Sequence, residues 1–127
     1  MIEFLGDPIK MPDGSTVPFS QVVKANGFLF VAGQMGVDGS VNLAGDDIGS
    51  QTAMALENME RVLGAAGATL KDVVKVNAWI TDAADFAGFN EVYAAKFGGP
   101  FPARATVISG LLIPGAKVEI EAIAVAP

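Results

Sequence analysis

Two charged residues in the last quarter of the chain have the types and the setting to do chemistry. Arg104 follows Pro102 at the start of a β-prone run, and Glu119 interrupts a run that is otherwise almost continuously apolar. A charge in a half-buried strand is costly unless a partner or a ligand offsets its desolvation. A guanidinium forms a planar fork for carboxylates, and a buried carboxylate can act as a base. The alternatives are an ion pair at the strand end for Arg104 and pairing with Lys117 for Glu119.

Composition limits what any such site could contain. The chain has no cysteine and no histidine, which excludes disulfides, thiolate nucleophiles, imidazole bases and the usual zinc sites. An acid or base must therefore be a carboxylate, a lysine, a tyrosine or a bound water. The net charge of −6, with eight scattered basic residues, argues against nucleic acid as a partner.

Length and hydropathy predict one domain, over residues 1–127, that associates with copies of itself. The apolar fraction of 51% is high for a small monomer, so part of the apolar surface is expected in a subunit interface. No apolar run approaches the roughly 20 residues that span a bilayer, and no signal-like segment opens the chain. We therefore expect a cytoplasmic protein without a membrane partner.

Periodicity places these residues on an α/β (α+β) framework. Asn26-Gly27 separates two β-prone runs and predicts a tight hairpin. Apolar residues recur at helical spacing from Ile48 to Ala66 and again through residues 83–97, while residues 73–81 alternate as in a strand. The remaining strands are predicted at about 1–5, 20–25, 28–32, 104–109 and 116–125.

This order predicts a mixed sheet with two helices on one face. In residues 73–81, Val74, Val76 and Ala78 are expected to face the helices, and Trp79 is expected on the other face, free to meet neighbouring subunits. Arg104 and Glu119 would then lie on adjoining strands of a hairpin that turns near Pro114-Gly115.

Several motifs in this order resemble the reactive intermediate deaminase family, also called the YjgF or Rid family. They include PFSQ at 18–21, AGQ at 32–34, FNEVY at 89–93 and FPAR at 101–104, with VEIEA following at 118–122. The resemblance implies a chorismate-mutase-like fold and a homotrimeric barrel with sites between subunits. It also implies hydrolysis of enamine and imine acids, such as 2-aminoacrylate, 2-iminopropanoate and 2-iminobutanoate, to 2-oxo acids and ammonia, without a cofactor.

The resemblance also implies roles for individual residues. Arg104 would bind the substrate carboxylate, and Glu119 would activate the attacking water, although Glu121 shares its strand face and only the family register favours Glu119. A main-chain carbonyl at Thr106 would help to hold the water. Main-chain groups at Ala32 and Gly33, together with the Asn90 side chain, would contact the substrate.

Phe19 and Ala32 depart from the family pattern, because hydroxyl-bearing residues are common at both positions. The absence of these two hydroxyl groups keeps open a second hypothesis, in which the protein is a non-catalytic module that binds small carboxylates or acts as a chaperone-like partner. An endoribonuclease is the weakest hypothesis, because the acidic, histidine-free chain shows no basic stripe for RNA.

Overall fold

The computed structural model describes residues 1–127 as one mixed sheet with two helices packed on one of its faces. The helices are α1 (Ile48–Ala65) and α2 (Phe86–Phe97). The strands are β1 (Glu3–Leu5), β2 (Val22–Ala25), β3 (Phe28–Met35), β4 (Val73–Ile80), β5 (Ala103–Ile108) and β6 (Val118–Val125), in the sheet order β1-β2-β3-β6-β4-β5. Only β4 and β5 are parallel neighbours. The predicted mixed α+β architecture is confirmed.

The hairpin between β2 and β3 forms where the Asn-Gly signal predicts it. Asn26 and Gly27 both have positive φ, 52° and 82°, as a type I′ turn requires. Strand β3 continues to Met35, beyond its predicted end at residue 32. The register shift between Val31 and Gln34 allows this continuation, and Met35 then pairs with Glu119 of β6.

Capping side chains define where the helices begin. The Asp47 carboxylate accepts a hydrogen bond from the Ser50 amide at 2.8 Å and starts α1. Asp82 caps a 3-10 turn, Ala83–Asp85, so α2 itself begins only at Phe86, three residues later than predicted. Gly67 follows the C-cap residue Ala66 and has a left-handed conformation, with φ of 77°, which ends the helix.

The alternation predicted for residues 73–81 is wrong at its first residues. Val73 is buried and Val74 is 43% exposed, whereas Val76 and Ala78 face the helices as predicted, and Ile80 is buried with them. A register shift between Val73 and Lys75 inserts an extra residue against β6, and such a bulge reverses the side-chain alternation locally.

The predicted C-terminal hairpin is also wrong, because β4 lies between β5 and β6. The crossover through α2 places β5 parallel to β4 on its outer side, as a β-α-β unit requires. The remaining position beside β4 is on its other side, where β6 inserts between β3 and β4. Arg104 and Glu119 are therefore not on neighbouring strands.

The two faces of the sheet have different environments. The core lies between the helices and one face, around fully buried residues such as Leu29, Leu56 and Phe89. The opposite face carries no helix and presents the exposed Phe28 and Phe30. Neither helix is long and apolar enough to cross a membrane.

Candidate active site

Arg104 projects from β5 toward α2. It pairs in register with Val76, whose side chain is buried on the helix side of the sheet. Its guanidinium donates a hydrogen bond to Asn90 Oδ1 at 2.8 Å. The guanidinium carbon also lies 4.7 Å from the ring centroid of Tyr93 and 5.1 Å from that of Phe89, with Phe86 at 5.7 Å. Aromatic rings and a neutral amide thus hold the cation.

Arg104 has no carboxylate partner within the chain. The two ion pairs join Lys96 to Glu60 and Lys117 to Asp85, so the alternative of an ion pair closing the strand end is not realised here. A half-buried guanidinium without a counterion has N–H groups available to pair with an anion. Beside it, Asn90, Ala94 and Phe101 line an open groove.

The aromatic residues beside Arg104 were not predicted as site residues. Phe86, Phe89 and Tyr93 recur at helical spacing, which by itself indicates a core stripe. The same face of α2 also carries Asn90, which was predicted as a site residue. This shared face was the sequence signal that could have identified the aromatic residues as part of the site. Burial raises the pKa of the Tyr93 hydroxyl, against the opposing effect of the nearby Arg104 charge.

Glu119 lies on the other face of the sheet. Glu119 pairs in register with Trp79 of β4, and Arg104 pairs with Val76 of the same strand. Val76 and Trp79 are three residues apart, and side chains an odd number of residues apart in a strand point to opposite faces of the sheet. The Glu119 carboxylate lies directly over Gly33, where an added Cβ would be 2.5 Å from Oε2. Burial, and secondarily the charge of Glu121, raise the pKa of Glu119.

The structure distinguishes Glu119 from the carboxylates and cations around it. Glu121 accepts a hydrogen bond from Asn77 Nδ2 at 3.1 Å, whereas Glu119 takes part in neither ion pair of the chain. Lys117, its suggested partner, lies 3.8 Å from Asp85 instead. Of the two carboxylates on this face of β6, Glu119 is therefore the one outside the ion pairs and the Asn77 hydrogen bond.

The residues expected to contact the substrate differ in whether their groups are accessible to a ligand. Ala32 uses both main-chain groups internally: its N–H donates to the Gln21 carbonyl at 2.9 Å, and its carbonyl accepts from Gln34 Nε2 at 3.0 Å. Gly33 is exposed and lines a groove together with Phe19, which is 54% exposed. Gly33, which contacts Glu119, and Phe19 are thus the accessible members of the expected substrate-contacting residues on this face.

Thr106 presents its main chain, rather than its side chain, to the solvent edge of the sheet. The Ser109 N–H donates to the Ile80 carbonyl of β4. Because backbone groups alternate sides along a strand, those of Thr106 face away from β4, at the edge where no further strand pairs. The Thr106 hydroxyl is buried without a hydrogen-bond partner.

The predicted site residues therefore form two groups on opposite faces of the sheet. Arg104 and Asn90 are in contact on the helix side, and Thr106 shares the strand of Arg104. On the other side, Gly33 contacts Glu119 and shares a groove with Phe19. Within one chain, the guanidinium and the Glu119 carboxylate cannot contact the same small molecule.

Comparisons with known proteins agree with this arrangement of elements. The family model described as "Endoribonuclease L-PSP" matches residues 10–126. A RutC family protein from Pyrococcus horikoshii is 46% identical over 108 residues, covering 84% of this chain and 86% of the relative. The human 2-iminobutanoate/2-iminopropanoate deaminase is 36% identical over 113 residues, covering 88% and 82%.

Solved structures extend the similarity to the whole fold. The crystal structure of RidA from an Antarctic Psychrobacter has a TM-score of 0.84 to this chain at 35% identity, covering 97% of this chain and 98% of that one. Together with the family match over residues 10–126, this similarity shows that the chain belongs to the endoribonuclease L-PSP family, also known as the YjgF or Rid family.

Proposed function

We propose that the protein is a cofactor-free deaminase that hydrolyses small enamine and imine acids to 2-oxo acids and ammonia. The observation that carries this proposal is the Arg104 guanidinium, which is half-buried and hydrogen-bonded to Asn90 but has no carboxylate partner. Relatives named as deaminases of such compounds, including the human protein, support the choice of substrate class.

The proposed site is completed by a second copy of the chain. One subunit contributes Arg104, Asn90 and the edge carbonyl of Thr106, and its neighbour contributes Glu119, Gly33 and Phe19. The opposite faces of these two groups support this division. The exposed apolar residues on the helix-free face, among them Phe28 and Phe30, support burial of that face in a homotrimer.

The chemistry requires a bound carboxylate, a water and one group that moves protons. Arg104 holds the substrate carboxylate in a bidentate pair, which orients the imine carbon toward the water beside Glu119. Glu119 takes a proton from the water as the carbon–oxygen bond forms, and the electron pair of the C=N bond moves to the nitrogen. Glu119 returns that proton to the nitrogen, which gives a carbinolamine. Glu119 then takes the proton of the new hydroxyl group and delivers it to the amine nitrogen as the C=O bond forms and the carbon–nitrogen bond breaks, so that ammonia leaves and a 2-oxo acid remains. An enamine enters this sequence after protonation at C3.

The activity test is the rate of pyruvate release from 2-aminoacrylate generated in situ by a pyridoxal-phosphate-dependent lyase. Arg104→Ala removes the charged anchor and is expected to lower kcat/KM on the order of 100-fold, since it removes about 3 kcal/mol of charge-assisted hydrogen bonding. Lys71→Ala, at an exposed lysine, is the charge-matched control. Unchanged turnover by Arg104→Ala would show that the carboxylate is bound elsewhere.

A mixing experiment tests the two-subunit site. Arg104→Ala and Glu119→Gln subunits, each inactive alone, are unfolded, mixed in equal amounts and refolded. Random assembly gives about a quarter of the sites an intact arginine from one subunit and an intact glutamate from the next. Activity near that fraction supports the shared site, and its complete absence from well-folded mixed trimers rejects it.

The second candidate function is a non-catalytic module that binds small carboxylates. The observation in its favour is the exposed Phe19 ring, which provides an apolar wall but no hydrogen-bond donor. Calorimetry decides between the two candidates. Tight 2-oxo acid binding that depends on Arg104, without turnover of any imino acid, would establish the binding module. RNA cleavage that persists in the Arg104→Ala and Glu119→Gln variants would instead favour a nuclease.

A further inference from the structure

Gln51 is a fully buried polar residue on α1 that binds two loops at once. Its exposed fraction is 0%. The side-chain amide donates to the Gly45 carbonyl at 2.9 Å and to the Gly115 carbonyl at 3.1 Å, and its oxygen accepts from the Lys117 N–H at 2.7 Å. Its hydrogen-bonding groups are thus used on the loop before α1 and on the segment that leads into β6.

Asn58 repeats this arrangement two helical turns later on the same side of α1. Its Nδ2 donates to the Met35 carbonyl at 3.0 Å and to the Val37 carbonyl at 2.8 Å. Met35 is the last residue of β3 and pairs in register with Glu119. The two amides therefore fix the end of β3 and the start of β6.

These attachment points lie on both sides of the Gly33–Glu119 contact. Lys117, held by Gln51, is two residues before Glu119, and Met35, held by Asn58, is two residues after Gly33. The loop that leads to Lys117 also carries Leu111 and Leu112, which line a groove with Glu119 and Trp79. A shift at either attachment point would move the carboxylate relative to Gly33 and admit water around it.

We infer that Gln51 and Asn58 are positioning residues that hold Glu119 against Gly33 from the helix side. This inference rests on the proposed function for its catalytic consequence, although the positioning itself does not require that function. Neither residue contacts the Arg104 groove, so their effect is expected on the proton-moving step and not on carboxylate binding.

The charged groups that face Glu119 are few, so a change in its pKa can be interpreted. Along β6 they are Glu121 and Lys117, whose ammonium group lies 3.8 Å from Asp85, and β4 contributes Lys75. Strand β3 presents the uncharged Gly33 and Met35, and in the proposed two-subunit site the Arg104 guanidinium of the neighbouring subunit lies across the substrate from Glu119. Burial is the main cause of its raised pKa. Looser loops would hydrate the carboxyl group, and its pKa would then fall toward the ordinary value.

The test replaces Gln51 by methionine, which keeps the side-chain length but removes all three hydrogen bonds. Thr52→Val is the matched control: Thr52 is also fully buried on α1, but its hydroxyl has no partner to lose. We expect Gln51→Met to lower kcat about tenfold with KM within twofold. Carbon-13 NMR titration, with the Glu119 signal assigned from Glu119→Gln, should show a lower Glu119 pKa than in Thr52→Val.

If Gln51 has a purely structural role, Gln51→Met will have a lower melting temperature, but its kcat per folded site and its Glu119 pKa will equal those of Thr52→Val. This result would overturn the inference. Should Gln51→Met fail to fold, Asn58→Leu applies the same test at the other attachment point. Rapid hydrogen exchange at the Lys117 amide of the unmutated protein would also overturn it. The NMR and exchange measurements need no substrate, so an inactive wild-type protein would refute the proposed function alone.

Discussion

Replacing Gly33 by alanine tests the Glu119 site with the smallest possible change. An alanine Cβ would lie 2.5 Å from Glu119 Oε2 and 3.0 Å from its Cδ, whereas ordinary contacts begin near 3.4 Å. Gly33 does not have positive φ, so alanine adds no backbone strain. The carboxylate must therefore move by almost 1 Å, and a displacement of about 1 Å at a reacting group can cost on the order of 100-fold in rate.

We expect Gly33→Ala to lower kcat for 2-aminoacrylate hydrolysis by about 10- to 100-fold, with little change in KM. KM should hold because Arg104, the proposed carboxylate anchor, lies on the opposite face of the sheet and belongs to the other half of the proposed site. Steady-state pyruvate release over a range of substrate fluxes gives both parameters. Circular dichroism and the solution mass, each compared with the wild type, check that the fold and the assembly persist.

Gly64→Ala is the matched control, because a Cβ at Gly64 would meet nothing within 4 Å. Gly64 lies in α1, where alanine is the better helix former, so this variant should be fully active and no less stable than the wild type. Wild-type kcat in Gly33→Ala would refute the reasoning, since the position of Glu119 would then not matter. A selective rise in KM would instead place Gly33 in carboxylate binding.

Three further outcomes follow from the perturbed groups. In the proposed mechanism Glu119 acts as a base in its ionised form, so kcat should rise with pH through its raised pKa, and this acid limb should vanish in Glu119→Gln. The same raised pKa means that folding favours the protonated carboxyl group, so its contribution to stability is present at acid pH and is lost as pH rises through that pKa. At pH 7 the ionised carboxylate of the wild type is a cost to folding that the neutral amide avoids. Glu119→Gln should therefore be inactive but should melt at a higher temperature than the wild type at pH 7. Tyr93→Phe keeps the aromatic ring beside Arg104 and removes a hydroxyl group that has no hydrogen-bond partner, so KM should not change. Tyr93→Leu instead loses a cation–π contact of about 1 kcal/mol and should raise KM roughly fivefold.

Local signals in the sequence predicted the elements well, because each depends on neighbouring residues. Asn26-Gly27 specified its hairpin through two residues that tolerate positive φ, and Gly67 ended its helix for the same reason. Burial in α1 followed the 3.6-residue period at Thr52, Ala55 and Met59. Turn chemistry and periodicity are local, so no partner strand was needed to read them.

Long-range pairing could not be predicted in the same way. The run at 118–125 reads equally well as a hairpin partner of β5 and as an inner strand between β3 and β4, because both place its alternate residues in the core. The crossover geometry of the β-α-β unit decides between these arrangements. The bulge at Val73–Lys75 likewise depends on the register against β6.

Gln51 and Asp47, two polar residues within the fold, have hydrogen-bond partners in the chain, whereas the charged groups of the candidate site lack partners of opposite charge. Gln51 makes three hydrogen bonds and Asp47 caps its helix, so the polar atoms of these residues are satisfied within the chain. Arg104 lacks an anion and Glu119 lacks a cation, although partly buried charges are ordinarily paired. Such local inconsistency in an otherwise consistent chain is expected at a functional site. Because the two unsatisfied charges lie on opposite faces of the sheet, neither can satisfy the other within one chain, and this separation is the reason for proposing a site that two copies of the chain share.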